Sequence, residues 1–234
     1  MPRTLIILPA LNEAANITRT VANVQAAYPN ADVLVVNDGS GDDTGTLAAQ
    51  QGAKVLHLPY NVGIGAGVQT GFKFALRYEY DVVVRNDGDG QHAPDGIQRL
   101  LERLAVGDVD MVVGSRFLDN GDYGTPTARR AGIRILRGLL SLIVRQSVTD
   151  PTSGFAAFNR NAIRLFAQVY PHDYPEPEAI VVLHRAGLKM CEIPVTMLPR
   201  EGGHSSITPV RSVYYMLKVT LAILINLLRA KTTV

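Results

Sequence analysis

The chain has 234 residues, 47% hydrophobic and 19% charged, with a net charge of +2. That size and apolar content suit one large domain with a real core and exclude a disordered chain. The single cysteine, Cys191, excludes an internal disulfide and points to a reducing compartment; its apolar neighbours, Met190 to Val195, mark a buried structural thiol.

Apolar, β-branched runs alternate with helical periods along the first half. Strands are expected at Thr4–Leu8, Asp32–Val36, Lys54–Leu58, Asp81–Val84 and Asp110–Val113. Helices are expected between them at Glu13–Tyr28, Asp43–Gln51, Ala66–Tyr78 and Pro94–Leu104. This order predicts an α/β fold, a mostly parallel central sheet with helices on both faces. After Tyr123 the pattern changes. A basic helix over Ala128–Arg145 is followed by a helix near Asn161–Val169 and another opening at Glu176–Glu178. A strand at Lys189–Val195 and a long apolar helix from Pro209 to Leu228 complete the chain. Leu5-Ile6-Ile7-Leu8 is too short for the core of a signal peptide, and no run of about 20 apolar residues predicts a membrane span.

Charge is unevenly spread. Residues 123–149 contain no acid but carry Arg129, Arg130, Arg134, Arg137 and Arg145. Residues 202–234 again contain no acid and carry Arg211, Lys218, Arg229 and Lys231. An acidic body with two basic segments suggests a surface that faces something anionic.

Parallel sheets bind ligands beyond the carboxyl ends of their strands. Those ends read Pro9-Ala10-Leu11-Asn12-Glu13, Asn37-Asp38-Gly39-Ser40, Asn61-Val62-Gly63-Ile64-Gly65, Asp87-Gly88-Asp89-Gly90-Gln91-His92 and Gly114-Ser115-Arg116. All are polar or glycine-rich, as one shared cleft requires. In the fourth, two carboxylates one residue apart follow a buried strand, and glycines at 88 and 90 allow close approach of a ligand. Paired hard oxygens suit Mg²⁺ or Mn²⁺ with a bound phosphate. Acidic turns also occur without function, so this pair carries weight only with the other strand ends. Asp38-Gly39-Ser40 can equally be an ordinary turn, and Asn12 reads as a helix N-cap before Glu13. The glycines at 63, 65 and 67 invite a dinucleotide reading, but G-x-G-x-x-G needs a glycine where Val68 stands. A sugar-nucleotide-forming nucleotidyltransferase would need a glycine-rich basic loop near the N-terminus, and Leu8-Pro9-Ala10-Leu11-Asn12 has no such character.

Taken with Asp150-x-x-Ser153-Gly154-Phe155 and Arg200-x-Gly202-Gly203-x-Ser205, these motifs resemble the family-2 glycosyltransferases of Rossmann-like GT-A fold. Within that family they are similar to the polyprenyl-phosphate branch that includes dolichyl-phosphate mannose synthase. The resemblance spans Leu5 to Ile207. Two positions depart from it: Asn37, where the family often has Asp, and Arg85, where a neutral side chain is common.

The resemblance implies transfer of a hexose, with inversion, from a UDP- or GDP-sugar to polyprenyl phosphate at the cytoplasmic membrane face. The alternative is a soluble glycan or other hydroxyl acceptor. It implies that Pro9, Leu11 and Glu13 line the base and ribose pocket and that Asp38 accepts from the base with Ser40 close by. Asn61 and Gly65, at the third strand end, would complete the nucleotide site. Asp89, Asp87 and Gln91 would hold the metal, with Asp87 shared with the sugar nucleotide. Ser153 would shape the sugar pocket, and Arg116, Arg130 and Arg200 would clamp the acceptor phosphate. A hydroxyl acceptor needs a base; Asp150 is the first candidate, Glu176 or Glu178 the second, although Asp150 can instead orient Arg116 or the sugar. A phosphate acceptor, largely dianionic at neutral pH, needs none.

The domain expectation is a catalytic unit over residues 1–208, with 1–116 as the nucleotide-sugar half and 117–208 as the acceptor half. Residues 209–234 form an amphipathic helix. On that helix Arg211, Tyr215, Lys218, Ala222, Asn226 and Arg229 share a stripe. On the other basic helix Arg130, Arg134, Arg137, Ser141 and Arg145 do so, opposite Ile135, Leu139, Leu142 and Ile143. Such helices lie on an anionic bilayer surface, or pack their apolar faces on the domain. The apolar end can also take a small integral membrane partner or a second copy of the chain. No nucleic-acid partner is expected.

Overall fold

The computed structural model describes residues 2–86, 95–118, 127–173, 175–196 and 218–225, with side chains in the helix opening at Thr127 described from residue 132 onward. In the first half β1 (Thr4–Ala10), β2 (Asp32–Asn37), β3 (Lys54–His57), β4 (Val82–Arg85) and β5 (Met111–Ser115) alternate with helices. The helices are α1 (Ile17–Ala27), α2 (Thr44–Gln50), α3 (Ile64–Arg77) and α4 (Asp95–Ala105). The second half holds α5 (Thr127–Val144), β6 (Ala156–Phe158), α6 (Arg160–Gln168), α7 (Pro175–Arg185) and β7 (Met190–Pro194).

One seven-stranded sheet runs β3-β2-β1-β4-β6-β5-β7. Its ladders are parallel except where β6 pairs antiparallel with β4 and β5. The alternation of side chains sorts the core into two layers. Leu5, Ile7, Leu34, Val36 and Val83 pack with Phe72, Phe166 and Val181 on one face; Ile6, Leu8, Val33 and Val35 pack with Ile17, Val21 and Leu100 on the other. Pro9 is tolerated in the central strand β1 because β4 has already ended at Arg85, opposite Ile7.

Strand β6 was not expected from sequence. Ala-Ala-Phe is a poor strand former on its own. It is strand because it fills the gap between β4 and β5, with Phe158 opposite both Val83 and Met111.

Each basic helix packs part of its apolar surface on the domain and leaves part of it exposed. In α5 the stripe Ile133, Leu136, Leu140 and Val144 is buried in the domain. Ile135 and Leu142 stay 66% and 78% exposed, on the same side as Arg134. Of the C-terminal segment, residues 218–225 are helical; the remainder of the expected helix lies outside the described residues. Val219 and Ile223 enter the core, Leu221, Leu224 and Ile225 are exposed, and Lys218 pairs with Asp173 at 2.5 Å. Among the described residues no helix is long and apolar enough to cross a membrane.

Candidate active site

The first two strand ends are zipped into one lip. Asn12 adopts φ 54° and caps nothing; α1 opens only at Ile17, which corrects the expected start at Glu13. The reason lies across the cleft. The Asn12 N–H donates to Ser40 Oγ at 3.0 Å, and its own Oδ1 accepts from the Gly41 N–H at 2.9 Å. The Glu13 N–H donates to Thr44 Oγ1 at 2.8 Å, and the Ala14 N–H to Asp42 Oδ2 at 3.1 Å. Thr44 also donates its hydroxyl to Asp42 Oδ1. Burial works against the Asp42 carboxylate, but the hydrogen bonds from Thr44 and Ala14 outweigh it and hold its pKa below the ordinary value. Leu11 is exposed on this lip, Pro9 is buried beneath it, and Glu13 Oε2 accepts from Asn16 Nδ2 at 3.1 Å.

Asp38 fastens the third strand end to the lip. Its carboxylate accepts from the Val62 N–H at 2.8 Å and the Gly63 N–H at 3.0 Å, and Asn61 Oδ1 also accepts from Gly63 at 2.9 Å. Gly39, at φ 69°, permits this approach: a Cβ there would lie 2.5 Å from the Tyr60 carbonyl carbon. Asn37, the departure from the family pattern, accepts from the Ser40 N–H at 3.2 Å through Oδ1 and meets His57 Nδ1 at 3.2 Å through Nδ2. An amide therefore bridges lip and β3.

Gly65, expected at the nucleotide site, meets the second half of the chain. Its N–H donates to the His172 carbonyl at 3.1 Å, and a Cβ would lie 2.1 Å from the Pro171 oxygen. Its bareness makes room for the α6–α7 connection.

Asp87, Asp89 and Gln91 lie outside the described residues. Immediately before them Asn86 buries Oδ1 with no hydrogen-bond partner among the described residues. An orphaned hard oxygen at the tip of β4 fits the oxygen-rich donor set a divalent cation takes. Arg85 is 3% exposed and donates to Glu176 Oε1 at 2.6 Å and to the Tyr170 hydroxyl at 3.2 Å. Glu176 and Glu178 stand in the first turn of α7, where the helix dipole favours acids.

After β5, Asp150 receives Arg116 through Nε at 2.6 Å and terminal Nη2 at 2.7 Å, and the Arg116 backbone N–H at 3.1 Å. That nitrogen also donates to Thr152 Oγ1 at 2.7 Å. The Asp150 side chain has no exposure, and that of Arg116 keeps 19%. Ser153 donates its hydroxyl to the Gly114 carbonyl at 2.6 Å. Phe155 is core: a Cβ on Gly114 or on Gly96 would come within 2.8 Å of its ring. Arg200 lies outside the described residues, as does the side chain of Arg130.

Sequence reasoning missed Glu192. From β7 its carboxylate accepts from the Thr149 N–H at 2.7 Å, the Thr149 hydroxyl at 2.8 Å and the Asp150 N–H at 2.9 Å. Thr149 in turn meets Ser115 Oγ at 2.6 Å. One carboxylate thus holds the loop whose next carboxylate holds Arg116. The available signal was a lone acid inside an apolar strand, Met-Cys-Glu-Ile-Pro. Burial pushes the pKa of the half-buried Cys191 thiol up, which disfavours its thiolate.

The chain is similar to several known proteins. Undecaprenyl-phosphate mannosyltransferase of Micrococcus luteus is 34% identical over 219 residues, covering 88% of both chains. Polyprenol monophosphomannose synthase of Mycolicibacterium smegmatis is 32% identical over 88% of this chain and 81% of its own. Glucosyl-3-phosphoglycerate synthase of Mycobacterium tuberculosis, solved with Mn²⁺, UDP and glucosyl-3-phosphoglycerate, superposes with a TM-score of 0.73. At 20% identity over 96% of this chain and 79% of that one, it speaks for the GT-A fold alone. The family described as Glycosyl transferase family 2 matches residues 5–166, from β1 into α6. Matched by that family over more than half of its length, and 34% identical to the Micrococcus luteus mannosyltransferase, this chain belongs to glycosyl transferase family 2 and is a glycosyltransferase.

Proposed function

We propose that the protein moves a hexose from a nucleoside-diphosphate sugar to a polyprenyl phosphate at a membrane surface. The observation that carries the choice of acceptor is the state of the candidate bases. Asp150 is committed to Arg116 and has no exposure, and Glu176 is paired with buried Arg85. A hydroxyl acceptor would need a proton acceptor within hydrogen-bond reach, and of the three candidates the first and one of the second pair are already engaged. A phosphate monoester arrives already ionised and needs only positioning and charge neutralisation. The mannosyltransferases of Micrococcus luteus and Mycolicibacterium smegmatis are named for polyprenyl acceptors of this kind, which supports the same reading.

In this reading Asp150 is a positioning residue. It presents the Arg116 guanidinium, whose planar fork suits phosphate oxygens, with Arg130 and Arg200 as further clamps. Pro9, Leu11, Glu13, Asp38, Ser40 and Asn61 form the nucleotide lip. Asp87, Asp89 and Gln91 would hold Mg²⁺ or Mn²⁺, which when bound offsets the charge developing on the departing diphosphate. A phosphate oxygen bonds to the anomeric carbon as the bond to the diphosphate breaks, a single displacement that inverts configuration.

The test supplies a panel of radiolabelled UDP- and GDP-hexoses with Mn²⁺ and polyprenyl phosphate. Label should enter the organic phase only when lipid phosphate is present. Arg116→Met should raise the acceptor KM about tenfold or more, the scale of a charge-assisted hydrogen bond, with the donor KM unchanged. Label found only in a water-soluble glycan would reject the lipid acceptor.

A further inference from the structure

The connection between α6 and α7, residues 169–173, and the first turn of α7 touch two donor-side loops at once. Against the third strand end, the Gly65 N–H meets the His172 carbonyl at 3.1 Å, and any side chain at 65 would collide with the main chain of 171 and 172. Against the tip of β4, Arg85 is buried between Glu176 at 2.6 Å and the Tyr170 hydroxyl at 3.2 Å. Tyr170 is itself fixed: its ring lies edge-on to Phe166 at 5.2 Å and tilted against Phe72 at 5.4 Å. A buried ion pair adds little net stability, because desolvation consumes most of its attraction, yet removing one partner is costly. Its effect is to allow one geometry. That geometry is set two residues before Asp87.

We propose that Arg85 is a positioning residue for donor binding. Together with Gly65 it seats the β3–α3 loop and the end of β4 at Arg85 on one brace, the α6–α7 connection, so that the two keep their spacing. The inference rests on the reading of those strand ends as the sugar-nucleotide site. The recognised chemistry is a nucleoside diphosphate with a divalent cation spanning the gap between them. Two anchors 20 residues apart in the chain then act through one segment, and their effects on donor binding must be coupled.

The full chain is tested as a double-mutant cycle of Arg85→Met and Gly65→Ala. Gly67→Ala serves as control, since a Cβ there meets only Val36 at 3.9 Å. Calorimetric dissociation constants for UDP and for GDP, each with Mn²⁺, are read beside melting temperature and acceptor KM. Each single variant should weaken the nucleotide that binds wild type about tenfold, equivalent to about 1.4 kcal/mol. The double variant should be no weaker than the poorer single, and the acceptor KM should stay within about twofold. Glu176→Gln should reproduce Arg85→Met, and Arg85→Lys replaces it in the cycle should Arg85→Met not fold. Multiplicative losses, unchanged nucleotide binding, or a fall in melting temperature with equal loss for donor and acceptor would overturn the brace. Wild type binding neither nucleotide would instead overturn the donor-site reading beneath it.

Discussion

At the scale of single residues, the carboxylates divide by what they hold. Asp150, Glu192, Glu176 and Asp38 each accept from arginine or main-chain donors, so each fixes a loop. None of this is written in residue type: an aspartate reads the same whether it binds a ligand or its own chain. That is why Asp150 was legible as important while its partner was one of several options, and why Glu192 escaped notice. Asp110 shows the energetic side. It accepts from the Lys189 N–H at 2.9 Å, Asn159 Nδ2 at 2.9 Å and Asn161 Nδ2 at 3.2 Å, tying β5 to the residues flanking β6 and β7. Burial raises its pKa, but those hydrogen bonds outweigh burial and leave it below 3.8. A depressed folded pKa means that the unfolded chain takes up the proton first. The stabilisation is therefore complete above the unfolded value and is lost as pH falls through the folded one. Asp110→Asn should be less stable at neutral pH and should show a shallower loss of melting temperature on acidification below about pH 4. Parallel wild-type and variant curves would assign the acid sensitivity elsewhere.

Among the elements, legibility followed the strength of local pattern. The expected strands β1 to β5 and β7 appear where apolar β-branched runs predicted them; in β1, β2, β4 and β5 burial on both faces leaves little freedom of assignment. Strand β6 has no such pattern and exists through its neighbours. The late start of α1 is set by loop-to-loop bonds that no local cap signals, whereas α6 opens at a local one, Asn159 Oδ1 accepting from the Asn161 and Ala162 N–H groups. Helix ends were more regular. At the end of α7, Gly187 takes φ 78°, with Gly187 N–H to His184 O and Leu188 N–H to Leu183 O. Helix α3 ends with the same bond pair, Glu79 N–H to Leu76 O and Tyr80 N–H to Ala75 O, but with Glu79 at φ 57°. A residue with a Cβ is strained in that conformation, whereas glycine is not. Glu79→Gly should therefore stabilise the fold by about 0.5–1 kcal/mol after the greater unfolded-state freedom of glycine is deducted. Urea unfolding at equal m-value is the measurement, and a lower midpoint would show that the Glu79 side chain contributes more than its backbone strain costs.

For the whole molecule, the order of strand ends and the segregation of charge were both readable, while the way the basic helices meet the domain was not. A helical period shows that a face is apolar but not which part of a wide apolar arc is covered. In α5 the covered part is the Ile133–Val144 stripe, and Ile135 and Leu142 face outward beside Arg134. Leu221, Leu224 and Ile225 face outward from the second basic segment. Exposed apolar side chains beside cations suit the interface of an anionic bilayer, where each gains from partial burial and from the surface potential. This arrangement separates docking from folding. Substituting a side chain that is already two-thirds exposed removes little core contact, so Ile135→Ser with Leu142→Ser should change melting temperature by no more than the usual surface effect, within about 0.5 kcal/mol. Flotation on vesicles containing phosphatidylglycerol should fall, because the buried apolar area at the interface is what those residues supply. Adding salt should lower flotation of wild type and variant alike, since the arginines remain. Undiminished flotation of the variant would mean that α5 does not touch the bilayer. A large loss of stability would mean that those two side chains are covered in solution, and a second copy of the chain would be the first partner to seek by sedimentation.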